Sequence, residues 1–279
     1  MPRAHTLNVF QECLCEFVCR PFAVVLVAQQ KLRLFLQYNS MNCVCLICFK
    51  PKIEWFQFLS TFTNYDIYVI IDDNSKDYTN DFLEFNNIKI IQIPNNICTQ
   101  NGFSNTCTIT IFKNVSGWTK AVYAFSSIHT TYNNVWFFED DVFFNNENTL
   151  LQIDLKHHCS DLLSNVYMEN TDGEKKSWLW RKITIHIPPP YYNAMICCIR
   201  VSNKLLSSIK EYANTHKTLF FAEALFPTLC KKHNLQYETP DEFTTVHYRK
   251  NFNDVDINTH NIFHPVKDIN KHIHYRTFI

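Results

Sequence analysis

The stretch Val135-Trp136-Phe137-Phe138-Glu139-Asp140-Asp141-Val142-Phe143-Phe144 decides how this chain is read. Four large apolar residues run straight into three carboxylates, and apolar residues follow. An unbroken apolar run of this kind predicts a strand buried on both faces, the habit of a central parallel strand. Open α/β sheets bind ligands just beyond the carboxyl ends of such strands. Three acids crowded there repel one another and resist desolvation, so a positive partner is expected. A divalent cation held by oxygen ligands meets that need most simply. A solvated strand end with an acidic turn is the plainer alternative.

Strands and helices alternate outward from that stretch. Residues 43–49 predict a first buried strand, ended by Lys50-Pro51 because proline removes a donor and biases its predecessor away from helix. Residues 53–62 show helical spacing. Residues 65–71 predict a second strand, closed by the turn chemistry of Asp72-Asp73-Asn74-Ser75. Residues 88–93 predict a third strand, residues 95–116 an irregular segment, and residues 118–128 a helix leading into the central strand. Beyond it, residues 150–182 read as helical and then polar. Pro188-Pro189-Pro190 predicts a rigid loop and residues 194–201 a further strand. Residues 205–213 and 222–230 predict helices, and the histidine-rich tail beyond Pro240 has few apolar runs. Such alternation implies a mostly parallel sheet.

The 279 residues suffice for one large α/β domain or two small ones, and 46% hydrophobic residues supply a substantial core. Lys and Arg number 26, as do Asp and Glu, so the net charge of +0 argues against nucleic acid as partner. Only 3 glycines leave little room for a Gly-rich phosphate loop. Most of the 12 cysteines lie inside apolar runs, which fits buried free thiols better than a disulfide scaffold. Cys43-x-Cys45-x-x-Cys48 has no matching second half, so a zinc knuckle is not expected.

Residues 1–41 differ from the rest. Their apolar run at 22–28 is too short to cross a bilayer, and Glu12 and Glu16 suit a signal peptide poorly. The expectation is an atypical extension at 1–41 that need not belong to the fold, and one domain at 42–279. A cytoplasmic location without a clear transmembrane segment follows, with peripheral membrane association left open.

One order of features runs through the chain. A strand ends at Lys50-Pro51, a second ends in Asp72-Asp73, and a helix carries Lys120-Ala121. A buried strand then ends in Glu139-Asp140-Asp141, an acidic helix start follows at Phe221-Ala222-Glu223, and His264-Pro265-Val266-Lys267 comes late. This order resembles the GT-A fold glycosyltransferases of the family 2-like, DXD type, over about residues 42–270. The resemblance implies an α/β, Rossmann-like fold with a mostly parallel central sheet flanked by helices. It implies a metal-dependent hexosyltransferase that moves a sugar from a UDP- or GDP-sugar donor to a hydroxyl of a glycan, protein or lipid acceptor. By the same resemblance Lys50 and Pro51 flank the base, and Asp72 or Asp73 binds uracil or ribose. Lys120, Glu139 and Asp140 belong to the donor site, and Lys267 touches the diphosphate. Asp141 and His264 hold Mn²⁺ or Mg²⁺, with histidine leaning toward Mn²⁺.

The signature of that class is Asp-x-Asp, and Glu139 departs from it by one methylene, reaching ribose or a metal-bound water. In an extended backbone residues 139 and 141 face the same side. Inverting transfer needs a base, and Glu223 sits in an apolar helix start where burial raises a carboxyl's pKa. A glutamate favouring the helix dipole is the alternative, and a retaining enzyme would not need the base. Trp178, Trp180, Tyr191 and Tyr192 are candidates for stacking on sugars or for core packing. Three other functions compete: a catalytically decayed carbohydrate-binding protein of the same fold, a metal-dependent nucleotidyltransferase and a phosphohydrolase. The last wants Asp-x-Asp-x-Thr after the first strand, where Lys50-Pro51 stands.

Overall fold

The structure, a computed structural model, describes residues 41–107, 114–175 and 177–278. The extension expected at 1–41 lies outside the described residues apart from Met41. The strands are β1 (Asn42–Cys48), β2 (Asp66–Ile71), β3 (Ile88–Ile91), β4 (Asn134–Glu139), β5 (Leu162–Asn170), β6 (Tyr191–Ser202) and β7 (Tyr237–Glu238). They form one sheet in the order β3-β2-β1-β4-β6-β5-β7. β1 pairs in parallel with β2 and β4, β2 with β3, and β5 with β7. Only β6 runs against its neighbours β4 and β5. The helices are α1 (Ile53–Leu59), α2 (Asn95–Gln100), α3 (Gly117–Tyr123), α4 (Glu147–Lys156), α5 (Asn203–His216), α6 (Ala222–Lys232) and α7 (Ile269–Phe278). This is the α/β architecture expected, a mostly parallel sheet flanked by helices.

Successive side chains of a strand point to opposite faces, and β4 shows the consequence. Val135 and Phe137 enter one apolar layer with Trp118 of α3, Leu205 of α5 and Leu225 of α6. Trp136 and Phe138 enter the opposite layer with Trp55 of α1 and Ile153 of α4. All four are fully buried, each contributing about 1.5–3 kcal/mol by transfer from water. The continuous apolar run is therefore the imprint of a strand covered on both sides. β1 divides in the same way. Cys43 and Cys45 face the first layer and Cys48 the second, so the three thiols share no site. Burial pushes all three up, Cys48 to about 12, which leaves them inert thiols.

Several elements differ from expectation. Residues 150–182 were expected to be helical and then polar, yet β5 occupies 162–170. Its outer half, with Asn165, Glu169 and Asn170, carries no apolar alternation; pairing with β6 holds it extended. Short α2 stands within the segment expected to be irregular. α7 follows the polar tail, and its only buried residues are His272 and Tyr275. Those two pack on Phe143, and His272 also on Trp55, so tertiary contact stabilises a helix whose own pattern is weak.

A buried ion pair joins the sheet to α4. Arg200 of β6 donates to Asp154 at 2.8 Å and to the carbonyls of His157 and Ser160. Asp154 also accepts from Tyr65 at 2.7 Å and from the Trp136 indole at 3.2 Å. Removing one partner strands a charge in the interior. Asp154→Ala is expected to destabilise the fold by about 3–5 kcal/mol, read as a lower urea midpoint. A loss below about 1 kcal/mol would mean the network is dispensable.

Candidate active site

From β1 the chain steps outward through β2 to β3, while β4 lies on the other side of β1. The crevice between the carboxyl ends of β1 and β4 is thus the switch point where α/β sheets bind ligands. Because β2, β1 and β4 are parallel, Asp72-Asp73, Lys50-Pro51 and Glu139-Asp140-Asp141 all leave the sheet at this edge.

The strand does not continue through the acids, as extended geometry at 139–141 requires. It ends at Glu139, and the Val142 amide donates back to the Glu139 carbonyl, so Asp140 and Asp141 form a turn. Beyond the turn, Phe143 pairs antiparallel with Phe263 through two backbone bonds of 2.8 Å. The Val266 amide donates to the Asp141 carbonyl at 2.7 Å. This short zipper lays the tail beside the acids and brings His264 to them. Glu139, Asp141 and His264 each offer one ligand atom, and these atoms lie within 4.8 Å of one another. Among the described residues no other group of His, Cys, Asp and Glu side chains converges in this way.

The three groups are held by what surrounds them. His264 places Nδ1 2.7 Å from the His247 carbonyl, which requires a proton on Nδ1 and turns Nε2 toward Asp141 at 3.3 Å. Asp141 Oδ1 is buried, with no hydrogen-bond donor aligned on it. Burial pushes the Asp141 carboxyl up, but the neighbouring His264 outweighs it and holds the group below its ordinary value. Burial pushes His264 down, and Asp141 more than reverses this. Glu139 is raised, first by burial and then by Asp141, against the opposing hydrogen bond from Trp118. That bond runs from the indole N–H to Oε1 at 2.6 Å. Trp118 reaches it because α3 starts against β1: a Cβ on Gly117 would come within 2.7 Å of Ile47 Cγ2. Only glycine permits that approach.

The other candidates are distributed around this centre. Lys120 is wholly buried, and its ammonium lies 2.8 Å from both the carboxylate and the carbonyl of Asp72. Asp73 accepts from Tyr78 at 2.7 Å, from the Ser75 amide and from the Ser75 hydroxyl, which lower its pKa to about 2. Lys50 is exposed, 3.9 Å from Asp73, and Pro51 is half-buried beside it. Asp140 turns away from the trio to Lys52 at 3.7 Å. Lys267 is exposed, and its charge helps lower Asp141. Glu223 stands in the first turn of α6. Burial, and then the charge of Glu139, push it up to about 7. Trp180 is buried in the core against Trp178 and Tyr191, as the packing alternative held. Trp118 and the His247 carbonyl were not foreseen. The first reads as an ordinary helix aromatic, and a carbonyl leaves no mark in a sequence.

A divalent cation suits this donor set. Two carboxylates and an imidazole nitrogen are donors that such an ion accepts, and the buried Asp141 Oδ1, 3.3 Å from His264 Nε2, has no hydrogen-bond donor aligned on it.

Neither a protein-family model nor a curated protein matches the sequence. Solved structures do resemble the fold. A 4-diphosphocytidyl-2C-methyl-D-erythritol synthase from Anaerococcus prevotii is 9% identical, with a TM-score of 0.45 over 74% of this chain and 88% of that one. Mouse xyloside xylosyltransferase 1 is 9% identical, with a TM-score of 0.39 over 73% and 87%. The galactosyltransferase LgtC, in complex with donor and acceptor sugar analogs, is 13% identical, with a TM-score of 0.42 over 73% and 74%. Likeness at this level concerns the course of the chain and leaves the chemistry to the residues themselves.

Proposed function

We propose that the protein is a metal-dependent glycosyltransferase that moves a sugar from a nucleotide-sugar donor to an acceptor hydroxyl with inversion. The observation that carries this reading is the convergence of Glu139, Asp141 and His264 at the switch point. The donor nucleoside would lie across the ends of β1 and β2, against Lys50, Pro51 and the turn at 72–75. Asp72 and Asp73 are engaged by Lys120, Ser75 and Tyr78, so in this reading they shape that wall and offer only their remaining acceptor capacity. A divalent ion held by Asp141, His264 and Glu139 would offset the charge that builds on the leaving diphosphate. Lys267, exposed on the same tail segment, adds positive charge on that side. Trp118 holds Glu139 in place, and the His247 carbonyl keeps the lone pair of His264 Nε2 available. Glu223, with a pKa near neutrality, takes the proton of the acceptor hydroxyl on its carboxylate.

The test is a panel of UDP-, GDP-, TDP- and CMP-sugars incubated with and without Mn²⁺, following release of the nucleotide. Mn²⁺-dependent release of a nucleoside diphosphate from one donor is the expected result. Pyrophosphate release from a nucleoside triphosphate and a sugar phosphate would replace this reading with nucleotidyl transfer. Sugar binding without turnover of any donor would make the protein a carbohydrate-binding relative.

A further inference from the structure

The segment at 248–252, the extended segment at 265–268 and α7 line a cavity of about 460 Å³. Arg249, Lys250, Lys267 and Lys271 line it, all four exposed. Among the described residues none of the four is within ion-pair distance of a carboxylate. The acids of this face are turned to local bonds. Asp268 accepts from the Asn270 amide, Asp256 from the Asn253 amide, and Asp254 contacts His274 at 3.0 Å. Asp268 lines the cavity as well, so four positive charges face one negative charge there, although the whole chain carries a net charge of +0. The cationic field is thus local to this face and favours an anion there.

The same face exposes apolar side chains. Tyr248 of the lining is 74% exposed, Val255 three residues beyond the lining Phe252 is 93% exposed, and Phe278, two turns after Lys271 on α7, is exposed as well. Phe252 ties the segment to α7, because its carbonyl accepts from Tyr275 at 2.8 Å and from Lys271. A small soluble phosphate or a nucleic acid gives Tyr248 and Val255 nothing to bury into. A lipid interface accepts both features, its headgroup phosphates facing the lysines and its acyl boundary the apolar side chains.

We propose that this face docks on an acidic phospholipid surface, with headgroup phosphates entering the cavity between Arg249, Lys250, Lys267 and Lys271. The docking does not depend on the chemistry of the neighbouring metal centre. It would hold the trio, joined to this cavity through His264-Pro265-Val266-Lys267, close to the membrane.

The test is cosedimentation of the full chain with vesicles of phosphatidylcholine alone and of phosphatidylcholine with phosphatidylglycerol. Acidic vesicles are expected to retain the protein and neutral ones not, with retention falling as salt rises. Arg249→Glu with Lys250→Glu should lower the partition coefficient at least about tenfold, since each basic residue near such a surface contributes severalfold. Lys271→Glu is an independent charge reversal with the same expected direction. Tyr248→Ser with Val255→Ser should lower it severalfold while leaving the binding of inorganic pyrophosphate unchanged. All five side chains are exposed, so the variants should melt with the parent. Equal retention by neutral and acidic vesicles, or no retention by either, overturns the proposal. So does unchanged retention by the Arg249/Lys250 and Lys271 charge reversals, which would mean that the vesicles bind some other part of the chain.

Discussion

Asp141→Asn is expected to abolish the Mn²⁺-induced rise in melting temperature and all Mn²⁺-dependent donor binding. Asparagine keeps the size of aspartate and loses the charge, so the turn at 139–142 and the Val266 amide bond to the 141 carbonyl survive. What disappears is the anionic oxygen that lies buried without an aligned donor and within 4.8 Å of the other two ligand atoms. Metal affinity should fall by more than about a hundredfold, beyond what loss of a supporting contact costs. His264→Ala should weaken binding less, because two carboxylates remain. In metal-free buffer two effects oppose each other in Asp141→Asn. Attraction to His264 is lost, and repulsion from Glu139 is relieved. The metal-free melting temperature should therefore move by only a few degrees, roughly the effect of under 1 kcal/mol. An undiminished Mn²⁺ shift in Asp141→Asn would remove this residue from the metal centre.

Glu223→Gln is expected to lower transfer by about two to four orders of magnitude while leaving donor affinity intact, the usual worth of a general base. The pH dependence provides an independent check. The base acts as carboxylate, so transfer by the parent should rise with pH through about 7 and level off above it. The variant should lack that limb. Stability should run the other way. A folded pKa raised above the ordinary glutamate value means that the fold prefers the neutral acid. Its stabilising contribution is fully present below the unfolded value near 4.5 and is lost as pH rises through about 7. Glutamine stays neutral throughout, so Glu223→Gln should be more stable than the parent at pH 8, by on the order of 3 kcal/mol. Full transfer activity in the variant would instead point to a retaining route without this base.

The parts of the chain that could be read in advance are those whose structure follows from consecutive residues. β1, β2 and β4 are apolar along their interiors because both faces are covered, and Lys50-Pro51 and Asp72-Asp73 mark where two of them leave the sheet. β5 and α7 could not be read because their hold on the fold comes from elsewhere. β5 relies on pairing with β6, and α7 on Trp55 and Phe143. Lys120 shows the same limit within the site: a lysine in a helix reads as a free cation, yet here it is buried against Asp72.

The sequence alone determined that a central strand ends in three acids at a place where α/β sheets open a crevice, because burial on both faces and period-two alternation are local properties. It also determined that Glu223 stands in an apolar helix start, where desolvation raises a carboxyl. Only the tertiary structure decided which groups meet. Resemblance suggested His264 for Asp141, but the contact is made by backbone bonds between 141–143 and 263–266. Glu139, at the end of β4, is fixed by the indole of Trp118 from a separate helix. Almost every residue carries the same backbone donor and acceptor, so pairing between distant segments leaves no signature in the side chains that it brings together.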